Sequence, residues 1–82
     1  MADIGKQQPG TEGAFLAAYD SYADAIFRHC YFRVSDRDRA KELAQDTFMR
    51  AWEYMALGKE AVENVRALLY RIAHNLIIDE YR

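Results

Sequence analysis

The sequence predicts an all-α fold, a compact bundle of three main helices. Three observations carry that reading. Apolar residues recur three and four positions apart in three separate stretches, which is the spacing of one buried helix face. The chain holds one proline and four glycines, and three of those glycines and the proline lie within the first thirteen residues, so the periodic stretches are almost free of helix breakers. Hydrophobic residues make up 51% of the 82 positions, enough for a single small core.

Met1 to Gly13 has no apolar periodicity and reads as a flexible N-terminal arm, leaving residues 14–82 as the folded domain. From Ala14 to about Phe32, Phe15, Tyr19, Tyr22, Ile26 and Cys30 form an apolar stripe, with Leu16, Ala23 and Phe27 alongside. The run Arg28, His29, Tyr31 and Arg33 gives this helix a basic, aromatic end, and the helix dipole by itself accounts for cations there. Val34 to Asp36 is a short connection in which Ser35, three residues before Asp38, is expected to cap the second helix. In that helix Ala40, Leu43, Ala44, Thr47, Phe48, Ala51, Trp52 and Met55 share a broad inner face, and Gly58 is placed to end it. A linker from Gly58 to Glu63 leads to Asn64, whose side chain suits an N-cap.

The third helix, Asn64 to Arg82, carries two stripes. Val65, Leu69, Ile72 and Leu76, flanked by Leu68, Ala73 and Ile77, are expected in the core. Opposite them, Arg71, His74, Asn75, Ile78, Asp79 and Arg82 combine hydrogen-bonding groups with positive charge.

The net charge of -2 argues against a chain that coats nucleic acid alone, because nonspecific binding depends on phosphate neutralisation by lysine and arginine. A single cysteine, Cys30, allows no intrachain disulfide, and with two histidines it is too few for a dedicated zinc site without several carboxylates. No apolar run approaches the roughly 18 residues of a membrane span, and the first residues lack the pattern of a secretory signal, so a cytoplasmic location is expected. His29 and Cys30 are helix neighbours that point apart, and His74, Asp79 and Glu80 read as surface charge. Neither a catalytic constellation nor a cofactor motif is visible, and the chain reads as a non-enzyme without cofactors.

Two runs carry a family resemblance. AKELAQDTFMRAWEY, Ala40 to Tyr54, resembles the signature helix of region 2 in bacterial sigma factors of the sigma-70 family. VRALLYRIAHNLIIDEYR, Val65 to Arg82, is similar to the helix that follows it, with the Leu-Tyr-Arg-Ile-Ala-x-Asn core and the Asp-x-x-Arg ending. Spacing and size are most similar to the extracytoplasmic-function (ECF) type, and the resemblance covers about Phe15 to Arg82. Leu68 stands where the family usually has tryptophan, and a chain ending at Arg82 looks like a domain excised from a longer protein.

The resemblance implies a transcription initiation factor that docks on core RNA polymerase, through the β′ clamp helices, and recognises and helps melt the minus-ten promoter element on the nontemplate strand. Carried onto this sequence, the docking pattern falls on Glu42, Gln45 and Asp46, and Met49 and Glu53 lie at helical spacing from them. Asn75 is the candidate base reader, since an amide both donates and accepts. Arg66, Arg71 and Arg82 are assigned to phosphates, His74 to a supporting hydrogen bond and Tyr70, with Tyr54, to stacking. An anti-sigma factor is a further partner that the resemblance suggests. Without the resemblance, the same residues read as a solvated charged surface, and the alternative function is a sigma-like protein-interaction module that does not read DNA.

Overall fold

The structure, a computed structural model, describes residues 11–58 and 62–82, and within them it has three helices: α1 (Thr11–Val34), α2 (Arg37–Leu57) and α3 (Val65–Glu80). The all-α bundle is as the periodicity predicts. α1 begins ahead of the Ala14 start read from the sequence, because Glu12 supplies the negative charge that a helix N-terminus favours and Gly13 is carried along inside the first turn. Residues 1–10 of the expected arm and residues 59–61 of the expected linker lie outside the described residues.

The connection between α1 and α2 differs from the expected cap. Ser35 adopts φ 55°, a left-handed conformation, and its N–H donates to the Tyr31 carbonyl at 2.8 Å. A residue so turned ends α1 and cannot also cap α2, because an N-cap needs extended backbone. Asp36 takes that role at φ -135° and ψ 117°, its Oδ1 accepting from the Arg39 N–H at 3.0 Å. Gly58 ends α2 as expected, but with φ -70° and without a left-handed turn. Asn64 caps α3, its side-chain oxygen accepting from the Ala67 N–H at 2.9 Å.

The core is drawn from all three helices. Ile26 and Cys30 of α1, Ala40, Leu43, Phe48, Ala51 and Met55 of α2, and Leu68, Leu69, Ala73 and Ile77 of α3 are buried. Small side chains on α2 and Ala73 on α3 let the helices approach, and Phe15 packs edge-on against Phe48 and Trp52 to close one end. Thr47 is fully buried, and its hydroxyl is satisfied by the Leu43 carbonyl at 2.7 Å. On α3 the buried side is turned relative to the expected stripe. Leu68, Leu69, Ala73 and Ile77 are inside, whereas Val65, Ile72 and Leu76 are half-buried. On α1, Tyr19 and Leu16 stay largely exposed, and Ala18 takes the inward position beside Ile26.

Two contacts between distant segments fix the far end of α3. Arg39 donates Nε and a terminal nitrogen to the two carboxylate oxygens of Glu80 at 2.7 and 2.6 Å, which ties the start of α2 to the end of α3. The Tyr81 hydroxyl donates to the Arg33 carbonyl, which ties the residue after α3 to the last turn of α1. Glu80 is exposed, in keeping with its reading as surface charge, and Arg39 is its partner.

Candidate functional site

α3 lies with its buried side on α1 and α2, and everything on its outer arc is available to a ligand. The residues proposed from the sequence occupy this arc but divide between its two edges. Arg71 and Asn75 face the groove between α3 and α2, and Arg66, Tyr70 and His74 lie toward α1. Arg82 follows the helix end, its N–H bonded to the Asp79 carbonyl, so it extends the arc without belonging to the helix.

On the α2 side, two adjoining hollows of about 530 and 260 Å³ share Tyr54, Leu68 and Arg71. The larger is closed by Val62 to Asn64, the segment that enters α3, and the smaller is edged by Arg50, Asn75 and Asp79. Buried Leu68 makes an apolar floor, and Tyr54, 53% exposed, makes an aromatic wall. An amide and a guanidinium stand at the rim. A planar heteroaromatic ring would find here an apolar and aromatic surface for its faces and hydrogen-bonding groups for its edge. Tyr54 comes from α2, so only its placement beside Val62 to Asn64 shows that it supplies an aromatic to this groove.

On the α1 side, the Arg66 guanidinium lies 4.9 Å from the Tyr70 ring centroid, and the His29 ring meets Tyr70 edge-on at 5.2 Å. Tyr70 is half-buried between them, so it packs the seam while showing one edge. The His29 Nε2 is buried without a hydrogen-bond partner. Burial, and then the positive charges of Arg33 and His74, hold the His29 pKa below its ordinary value.

The α2 stripe assigned to docking projects from the outer side of the bundle. Gln45, Met49 and Glu53 are exposed, Met49 to 63%. Glu42 accepts from Arg39 at 3.1 Å, and half-buried Asp46 accepts from Arg50 at 3.1 Å, so these two carboxylates are already oriented within the domain. Beside the stripe runs a feature that the sequence reading missed. A groove of about 550 Å³ between α1 and α2 is lined by Phe15, Leu16, Tyr19, Phe48, Met49 and Trp52, with Glu12 and Gln45 at its margin. The signal that could have revealed it is the density of large apolar residues on α1, where Leu16 and Tyr19 exceed what one buried stripe accommodates.

Cys30 is buried, and burial pushes its thiol pKa up, which leaves it a small apolar core residue. Among the described residues, no group of three histidine, cysteine, aspartate or glutamate side chains is placed to hold a metal ion. No described helix is long and apolar enough to cross a membrane.

Open grooves and exposed polar faces on a small helical bundle define a binding module. Its family follows from comparison with known proteins: the Sigma-70 region 2 family matches residues 18–82, and the chain belongs to it. The chain is 32% identical over 82 residues to the ECF RNA polymerase sigma factor BldN of Streptomyces coelicolor, covering 100% of this chain and 31% of that protein. It is 33% identical over 82 residues to the ECF RNA polymerase sigma factor SigL of Mycobacterium tuberculosis, covering 100% of this chain and 46% of the relative. To the ECF RNA polymerase sigma factor SigW of Bacillus subtilis it is 34% identical over 80 residues, covering 96% of this chain and 42% of the relative. The chain thus spans less than half the length of each of these relatives. No solved structure gave a significant match. The family consists of transcription initiation factors and not enzymes.

Proposed function

We propose that this domain docks on core RNA polymerase through the outer face of α2 and binds the nontemplate strand of the minus-ten promoter element with α3, assisting its melting in the cytosol. The observation that carries the reading is the α2–α3 groove, where Tyr54, Leu68 and Arg71 line both the hollow at the entry to α3 and the adjoining one that Asn75 edges. A base leaving the duplex loses its stacking, and an aromatic wall restores about 1–3 kcal/mol per base. Asn75 reads the base edge, and Arg71, Arg66 and Arg82 hold the strand without reading it. Gln45, Met49 and Glu53, with Glu42 and Asp46 held in place by Arg39 and Arg50, form an acidic and partly apolar patch suited to a basic helix of the polymerase β′ clamp.

Two measurements test the two halves. In a complex reconstituted with core polymerase, Asn75→Ala should change the ranking of promoter sequences, and an equal loss on every promoter would remove its reading role. In a pull-down with a β′ clamp-helix fragment, Gln45→Ala with Asp46→Ala should weaken retention about tenfold or more. Unchanged retention would end the docking assignment. The apolar α1–α2 groove favours a second reading, a sigma-like module that binds only proteins, such as an anti-sigma factor. Binding of single-stranded minus-ten DNA by the assembled complex would exclude it.

A further inference from the structure

The basic, aromatic end of α1 is left unused by the docking face and by the base-reading groove. Its Arg33 follows His29 by one helical turn, and so shares the side of α1 from which the His29 ring meets Tyr70 of α3. Arg66 extends the same seam through the Tyr70 ring, which His29 touches from the α1 side. The arrangement is fixed from both ends, by the His29–Tyr70 ring contact and by the Tyr81 hydroxyl on the Arg33 carbonyl.

A cation in the last turn of α1 suits the helix dipole, but the dipole of α1 gives no reason for α3 to carry Arg66 and His74 along the same seam. Among the described residues, none of Arg33, Arg66 and His74 forms a salt bridge. Arg33 and Arg66 are thus cations without a paired carboxylate among the described residues, and an anionic partner supplies the counter-charge. The strip lies at the α1 edge of the outer arc of α3, whose α2 edge carries Arg71 and Asn75, so a strand that crosses the arc from that groove reaches it.

We propose that the last turn of α1 is part of the nucleic-acid interface, with Arg33 contacting a backbone phosphate alongside Arg66 and His74 across the α1–α3 seam. The inference rests on the minus-ten reading above and adds a second helix to it. Arg33 positions the strand and reads no sequence. Its side chain is exposed and its structural link to Tyr81 runs through its backbone carbonyl, so substitution leaves that link in place.

The test uses the chain assembled with core polymerase and a labelled fork-junction oligonucleotide carrying the single-stranded minus-ten element. Arg33→Ala should weaken binding about 3- to 10-fold on every sequence tried and reduce the salt dependence by about 0.7 to 0.9 in slope, the equivalent of one phosphate contact. Arg33→Lys should restore most of both. Unchanged affinity and slope in Arg33→Ala would overturn the inference, as would a loss restricted to certain sequences or a loss of polymerase binding itself. If Arg33→Ala melts early, Arg33→Gln carries the same comparison with the longer side chain retained. Altered promoter ranking in Asn75→Ala beside a neutral Arg33→Ala would leave the minus-ten reading standing and remove only this extension. Absence of oligonucleotide binding by the unsubstituted complex would remove both.

Discussion

His29 shows how one side chain connects the fold to its surroundings. Its ring fills the seam beside Tyr70, and burial together with the charges of Arg33 and His74 disfavours its protonated form. The folded chain therefore takes up this proton at lower pH than the unfolded chain, whose histidine titrates near the ordinary 6.5. Below that value the unfolded state binds more protons than the folded state, so stability falls as pH drops from 6.5 toward the depressed folded value. Above about pH 7.5 both forms are neutral and the contribution is flat. Thermal melts between about pH 7.5 and 5.5 should show this decline, and His29→Gln should flatten it. That range stays above the ordinary 4.5 of Glu80, whose carboxylate is held further down by Arg39, so loss of that ion pair does not enter. An equal decline in His29→Gln would place the proton elsewhere.

Among the elements, the α1–α2 connection separates what a sequence displays from what it hides. The three helices were legible because apolar spacing is a local pattern, and Asn64 was legible as a cap because the signal lies within four residues of its partner. Ser35 and Asp36 are adjacent, and either can cap a helix by composition. Only the left-handed turn at Ser35 decides between them. The docking stripe on α2 was legible as one face of one helix. The grooves were not, because Tyr54 meets Arg71, and Leu16 meets Met49, only after the helices pack. The Arg39–Glu80 pair, 41 positions apart, carries no sequence signal at all. The connection yields a pair of opposite predictions. Asp36→Ala removes the acceptor for the Arg39 N–H and should destabilise the domain by about 1 kcal/mol. Ser35→Gly should stabilise it by up to about 1 kcal/mol, since a side chain in the left-handed region costs roughly 1–2 kcal/mol and glycine gives part of this back as unfolded-state entropy. Urea melts should shift the two variants in opposite directions, and a shared direction would mean that the turn does not separate the two helices as described.

At the scale of the whole molecule, every proposed contact depends on a single small core. A domain of 82 residues is stabilised by about 4–12 kcal/mol at the usual 0.05–0.15 kcal/mol per residue. Ile26 is fully buried and belongs to α1, while the docking stripe is on α2 and the reading arc on α3. Ile26→Ala should cost about 2–5 kcal/mol, which consumes a large part of the total and lowers the melting temperature by about 10 °C or more. Its effect on binding should differ in kind from those of Asn75→Ala and of Gln45→Ala with Asp46→Ala. Those substitutions remove one recognition and leave the other, whereas a core cavity reduces the folded fraction on which both depend. Polymerase retention and oligonucleotide binding should thus fall together for Ile26→Ala, in step with the unfolded fraction measured by circular dichroism at the same temperature, and both should recover on cooling. Loss of oligonucleotide binding with full polymerase retention would contradict a common core, and would mean that α3 can lose its arrangement while α2 keeps its own.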